Sequence, residues 1–185
     1  MASSDHGPHA HITLVLGGAR SGKSLYAETT AEEAATAAKP GGLYLATAEA
    51  GDAEMTARIA EHKARRGPEW KTVEEPLDIA AALAEHARAD RPVLVDCLTL
   101  WLANVIAAGR DPDDEVGALV ETLEGLDGPV VLVSNEVGMG IVPESALARS
   151  YRDHAGRMNQ AVARTAQRVV LISAGLPQVL KDENR

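Results

Sequence analysis

Gly17-Gly18-Ala19-Arg20-Ser21-Gly22-Lys23-Ser24 fits the spacing G-x-x-x-x-G-K-[ST] of a phosphate-binding loop at every required position. His11-Ile-Thr-Leu-Val-Leu16 before it is a short apolar, β-branched run that reads as a buried strand, and the alanine-rich segment from Ser21 to about Ala38 reads as a helix closed by Lys39-Pro40-Gly41-Gly42. Strand, loop and helix are the context that this motif needs. Glycines at 17, 18 and 22 allow backbone angles and close approaches that a Cβ would block, so successive N–H groups can curl around phosphate oxygens. The helix that follows points its positive end at the same anion. The spacing then predicts that Lys23 reaches the β and γ phosphates and that the Ser24 hydroxyl is a ligand of the accompanying Mg²⁺.

Outward from the loop, apolar runs alternate with helical patterns. Leu43-Tyr-Leu-Ala46 reads as the second strand, and Thr47-Ala48-Glu49 lies at its carboxyl end, beside the loop if the sheet is parallel. Helices are expected over Asp52–Arg66, Leu77–Arg88, Leu98–Ala108, Asp113–Leu126 and Tyr151–Ala166, with a short strand over 71–73. Pro92-Val-Leu-Val-Asp96 is an apolar strand that ends in a carboxylate, the second metal and phosphate element expected in such a fold. Pro129-Val-Val-Leu-Val-Ser134 and Arg168-Val-Val-Leu-Ile-Ser173 are further buried strands, and Gly175–Leu180 is an edge-strand candidate. Continuous apolar strands alternating with helices predict an α/β fold, a doubly wound and mostly parallel sheet of the phosphate-loop (RecA-like) nucleotide-binding type. Residues 11–185 are expected to form one catalytic domain, with 1–10 as a disordered lead-in.

The 185 residues carry a formal charge of −9, which argues against a nucleic-acid or anionic-membrane partner, since either wants a basic face. Cys97 is the sole cysteine, so no internal disulfide and no thiolate metal cluster can form. No apolar run approaches a membrane span, and the cytoplasm is the expected compartment.

Beyond the loop, one helical stripe stands out. Met55, Ile59, His62 and Arg66 fall on one face of the 52–66 helix, with Arg58 and Arg65 beside it. Either the stripe packs on the core with its arginines solvated, or the arginines hold polyphosphate while the neutral imidazole attacks it. The pattern leaves both readings open. Glu74 and Glu75 read as a solvated turn or as ligand contacts, and Trp70 and Trp101 as core anchors.

The phosphate loop, Tyr44-Leu-Ala-Thr47, Glu54-Met55 with Arg58-Ile59 and His62, Trp70 with Thr72-Val-Glu74, Ser134-Asn-Glu-Val-Gly-Met-Gly-Ile-Val-Pro143, Tyr151-Arg-Asp153 and Gly156-Arg-Met-Asn159 together resemble the bifunctional adenosylcobinamide kinase and adenosylcobinamide-phosphate guanylyltransferase family of cobalamin biosynthesis. The likeness runs from about residue 12 to 180. It implies phosphorylation of adenosylcobinamide by ATP or GTP, then transfer of GMP from GTP to the new phosphate through a guanylylated histidine, which His62 matches. It also implies nucleotide contacts from Ala46, Thr47, Ala48, Lys63, Ala64, Arg65, Arg66, Glu74 and Asp96, with Ser24 and Asp96 on Mg²⁺, and a homotrimer. Two other readings share the same motif: a small-molecule kinase without nucleotidyl transfer, and a nucleotide-dependent switch with no small substrate.

Overall fold

The computed structural model describes residues 11–35, 41–48 and 67–183. The lead-in over 1–10 and the expected 52–66 helix, with His62, Lys63, Ala64, Arg65 and Arg66, lie outside them. Seven strands form one sheet: β1 (Ile12–Gly17), β2 (Leu43–Ala46), β3 (Lys71–Glu74), β4 (Val93–Asp96), β5 (Val130–Asn135), β6 (Arg168–Ser173) and β7 (Leu176–Asp182). Their spatial order is β3-β2-β4-β5-β1-β6-β7. Every pairing is parallel except β6 with β7.

The central strands are apolar along their whole length because both faces are covered. On one face, Ala27 and Ala31 of α1 (Lys23–Ala34) pack on Val15, Leu94, Val131 and Val133. The other face takes α2 (Ile79–His86), α3 (Leu98–Ala107), α4 (Pro112–Glu124) and α5 (Ala146–Thr165), which bury Leu83, Trp101, Leu119 and Met158 against Leu14, Leu45 and Leu132. Helices on both faces of a mostly parallel sheet are the doubly wound arrangement that the alternation of patterns predicts. The small alanines of α1 let that helix approach the sheet that carries the phosphate loop.

Local chemistry sets the helix ends. Asp111 accepts hydrogen bonds from the N–H groups of Asp113 (2.8 Å) and Asp114 (3.2 Å), Pro112 opens α4, and three acids occupy its first turn. Helix α5 starts at Ala146, five residues before the expected Tyr151, because Ser145 caps it and Ala146-Leu-Ala-Arg149 are good helix formers. Arg149 then ties the helix back to the preceding loop through the carbonyls of Pro143 and Glu144, at 2.9 and 2.6 Å. The edge strand expected over 175–180 is present as β7. Ala174 (φ 52°) and Gly175 (φ 79°) form the two-residue turn that reverses the chain after β6, both in the left-handed region that such a turn demands.

Candidate functional site

The phosphate loop leaves the sheet from a central strand. Gly17 ends β1 in register with Asn135 of β5 on one side and Ile172 of β6 on the other. A Cβ on Gly17 would overlap Ser21 Oγ and come within 2.8 Å of the Ile172 carbonyl, so only glycine fits there. The loop is held by its own backbone and that of its neighbours: Ser21 N donates to Gly18 O (3.3 Å), Gly175 N to Ser21 O (2.9 Å) and Glu136 N to Gly17 O (3.1 Å). Gly22, at φ 95°, turns the chain into α1. Gly18, Ala19 and Arg20 are exposed at the rim, whereas Ser21 is buried, and its hydroxyl has no hydrogen-bond partner among the described residues. Lys23 Nζ donates to Gly18 O at 3.2 Å, so the lysine side chain lies folded over the loop. Ser24 is half-buried on the first turn of α1.

The second wall is the carboxyl end of β4, where half-buried Asp96 stands in register with Ala46 of β2 and Val133 of β5. Side chains fix this end. Thr47 is wholly buried; its hydroxyl donates to Cys97 O and accepts from Cys97 N, both at 2.8 Å, while its N–H reaches Asp96 O at 3.3 Å. Asn104 Nδ2 in turn donates to the carbonyls of Thr47 (2.9 Å) and Pro76 (3.1 Å). The hydroxyl of Thr47 therefore clamps β2 to β4, and Ala46 and Ala48 flank it as buried and half-buried wall residues.

A buried polar network continues beneath. Asn135 Nδ2 donates to Thr99 Oγ1 at 2.6 Å, Thr99 Oγ1 lies 3.2 Å from Cys97 Sγ, and Tyr151 OH donates to Thr99 O at 2.8 Å. Ser134 Oγ donates to Asn159 Oδ1 (2.7 Å), whose amide nitrogen reaches Asn135 O (3.3 Å). Burial, and after it the Asp96 carboxylate, push the Cys97 thiol up from its ordinary value; the Thr99 hydrogen bond, the Leu100 backbone and the Lys23 ammonium pull the other way. The charges of Lys23 and Asp96 thus act on one buried sulfur from the two walls of the site. Burial and the neighbouring Cys97 push the Tyr151 phenol up to about 12.

The structure brings the phosphate loop, Ala46–Ala48 and Asp96 to one edge of the sheet. Glu74 is exposed at the end of the outermost strand β3, in register with Ala46 of β2 at the same edge and four strands along from β1. Its neighbour Glu75 is a cap, not a loose turn residue: Oε1 accepts from Leu77 N (3.0 Å) and Asp78 N (2.8 Å) ahead of α2. Trp101 is a core anchor whose Nε1 donates to Leu77 O at 2.7 Å, and Trp70 is buried on the opposite face. Thr99 and Asn104 are site-supporting residues that the sequence does not single out, whereas Asn135 and Asn159 lie in segments that carry the family resemblance without their structural role being evident. Asn159 carried a signal, a lone asparagine within the buried stripe of Ala155, Met158 and Val162. No helix among the described residues is long and apolar enough to cross a membrane.

The sequence profile of the family described as Cobinamide kinase / cobinamide phosphate guanyltransferase matches residues 13–180. The bifunctional adenosylcobalamin biosynthesis protein CobP of Pseudomonas aeruginosa is 53% identical over 173 residues, an alignment that covers 92% of this chain and 97% of that one. The corresponding CobU proteins of Salmonella typhimurium and Escherichia coli are 39% and 38% identical, each over 92% of this chain and 99% of their own. Among solved structures, the flagellar accessory protein FlaH of Methanocaldococcus jannaschii superposes with a TM-score of 0.51 at 13% identity, over 95% of this chain and 80% of that one, a likeness of fold alone.

Proposed function

The chain belongs to the cobinamide kinase / cobinamide phosphate guanyltransferase family, and from that premise we propose that it carries out both steps: it phosphorylates adenosylcobinamide with ATP or GTP, then transfers GMP from GTP to adenosylcobinamide phosphate. The observation that carries the reading is the loop at Gly17–Ser24, wound so tightly that a Cβ at Gly17 would overlap Ser21 Oγ, at the same edge of the sheet as Asp96 two strands away. The buried, unpartnered Ser21 hydroxyl at its base suits a phosphate oxygen.

In this reading the N–H groups of the loop and Lys23 hold the β and γ phosphates in line for transfer. Ser24 and Asp96 are hard oxygen donors suited to Mg²⁺, which takes one or two protein ligands together with phosphates and water. When bound, that ion neutralises charge across the β and γ phosphates. His62 is the nucleophile of the second step. Its imidazole nitrogen bonds to the α phosphorus as pyrophosphate leaves, and a phosphate oxygen of the acceptor then displaces the histidine to give adenosylcobinamide-GDP. Lys63, Ala64, Arg65, Arg66 and Glu74 are nucleotide contacts in the same scheme.

The test is to incubate the protein with Mg²⁺ and GTP labelled on the α phosphate. Protein-bound label that survives alkali, is lost in acid and vanishes in His62→Ala identifies a phosphorus–nitrogen bond at that residue. GTP binding without any label sinks the transfer step and leaves a kinase.

A further inference from the structure

Phosphorylating an alcohol requires a group that takes the hydroxyl proton as the oxygen attacks phosphorus. The inference drawn here rests on the kinase reading above. Among the described residues, four carboxylates stand at or just beyond the carboxyl ends of the parallel strands on the loop's side of the sheet: Glu74, Glu75, Asp96 and Glu136. Glu74 ends β3 and Glu75 directly follows it, four strand spacings from β1 in the order of the sheet. At about 4.8 Å per spacing they stand on the order of 19 Å away. Glu75 is also committed to the N–H groups ahead of α2. Asp96 is assigned to the metal.

Glu136 differs in each respect. It directly follows β5, the strand that lies between β4 and β1, so it leaves the sheet between Asp96 and the phosphate loop. Its own N–H donates to Gly17 O at 3.1 Å, which ties it to the first residue of the loop. Its side chain is oriented: Oε1 accepts from Gly138 N at 2.6 Å, and a Cβ on residue 138 would come within 2.9 Å of that oxygen. One oxygen is anchored by the backbone, and the second takes no hydrogen bond among the described residues.

We propose that Glu136 is the general base of the phosphoryl-transfer half-reaction. Its carboxylate takes the proton of the acceptor hydroxyl while that oxygen bonds to the γ phosphorus. The bond from the γ phosphorus to the β,γ-bridging oxygen breaks, and the nucleoside diphosphate leaves with the electron pair. Water then takes the proton from the glutamic acid. The guanylyl-transfer half-reaction does not call on this group, because its acceptor is already a phosphate oxygen.

The deciding experiment compares the full-length wild type with Glu136→Gln in three measurements: kinase turnover of adenosylcobinamide with Mg·ATP, affinity for a fluorescent ATP analogue, and covalent labelling from α-labelled GTP. The expected result is a kinase kcat lowered about 10²- to 10⁴-fold, with nucleotide affinity and covalent labelling within threefold of wild type. A variant with kinase kcat within fivefold of wild type overturns the assignment. So does one that loses nucleotide affinity together with turnover, which would make Glu136 a scaffold residue. A wild type that phosphorylates no cobinamide overturns the kinase reading and the base with it, whereas an active wild type beside an undiminished variant overturns the base alone.

Discussion

The two walls of the site face each other but are held by different means. Residues 17–24 are fixed through the main chain: three backbone hydrogen bonds, a glycine where a methyl group would collide, and a left-handed turn into α1. Residues 96–99 are fixed through side chains that come from elsewhere, with Thr47, Asn135 and Tyr151 each reaching in from a different element. A wall of main-chain groups needs only small residues and tolerates variety at its exposed rim. One built by buried side chains needs particular hydroxyls and amides, since each buried polar group left unpaired costs about 1–3 kcal/mol.

The largest break in this contrast is expected at Gly17→Ala. The added methyl cannot coexist with Ser21 Oγ and the Ile172 carbonyl, so the loop must shift. Nucleotide affinity should fall at least about 100-fold, or about 3 kcal/mol by titration calorimetry, whereas Ala19→Ser at the exposed rim should leave it within threefold. On the other wall, Thr47→Val keeps the shape but orphans the N–H and C=O of Cys97. A loss of about 2–3 kcal/mol is expected, seen as a Tm lower by about 5–10 °C, with most of it restored in Thr47→Ser. Recovery of full stability by valine would show that the hydroxyl is not the clamp.

A smaller effect is expected at Asn159→Ala, which strands Ser134 Oγ and one amide bond to Asn135. Its cost should be about 1–2 kcal/mol in urea unfolding, without change in nucleotide affinity. The smallest lies at alkaline pH. Tyr151 holds its proton more tightly folded than unfolded, its phenol raised from 10.0 to about 12. Its contribution is therefore complete below about pH 10 and is lost as pH rises towards 12. Cys97, raised from 9.0, acts in the same direction from its own lower starting point. Urea midpoints measured from pH 8 upward should decline, and Tyr151→Phe should flatten the upper part of that decline.

The same contrast decides what could be read without coordinates. The phosphate loop is legible because its eight residues are consecutive and their function rests on backbone geometry that glycine spelling records. The strands are legible as apolar runs, and Asp96 as the carboxylate that ends one of them. The clamp from Thr47 to Cys97 spans fifty positions and the bond from Tyr151 to Thr99 fifty-two, and no periodicity marks either pair. Nor does the glycine and proline punctuation of 138–143 reveal that Ser145 opens a helix directly after it. Local rules recover the elements and the loop. Partners across the sheet follow from strand order, which the chain does not spell.

Strand order also bears on how the protein is made. β1 carries the phosphate loop, yet its two neighbours are β5 and β6, encoded in the last third of the chain. As the protein emerges from the ribosome, β1 and its loop come out ahead of both neighbouring strands and have nothing to pair with until those have followed. Its contacts are long-range ones, which form slowly and leave apolar strand edges open in the meantime. The nucleotide cradle is thus assembled late. Ligand present during synthesis would find a complete binding site only once β6 had joined the sheet.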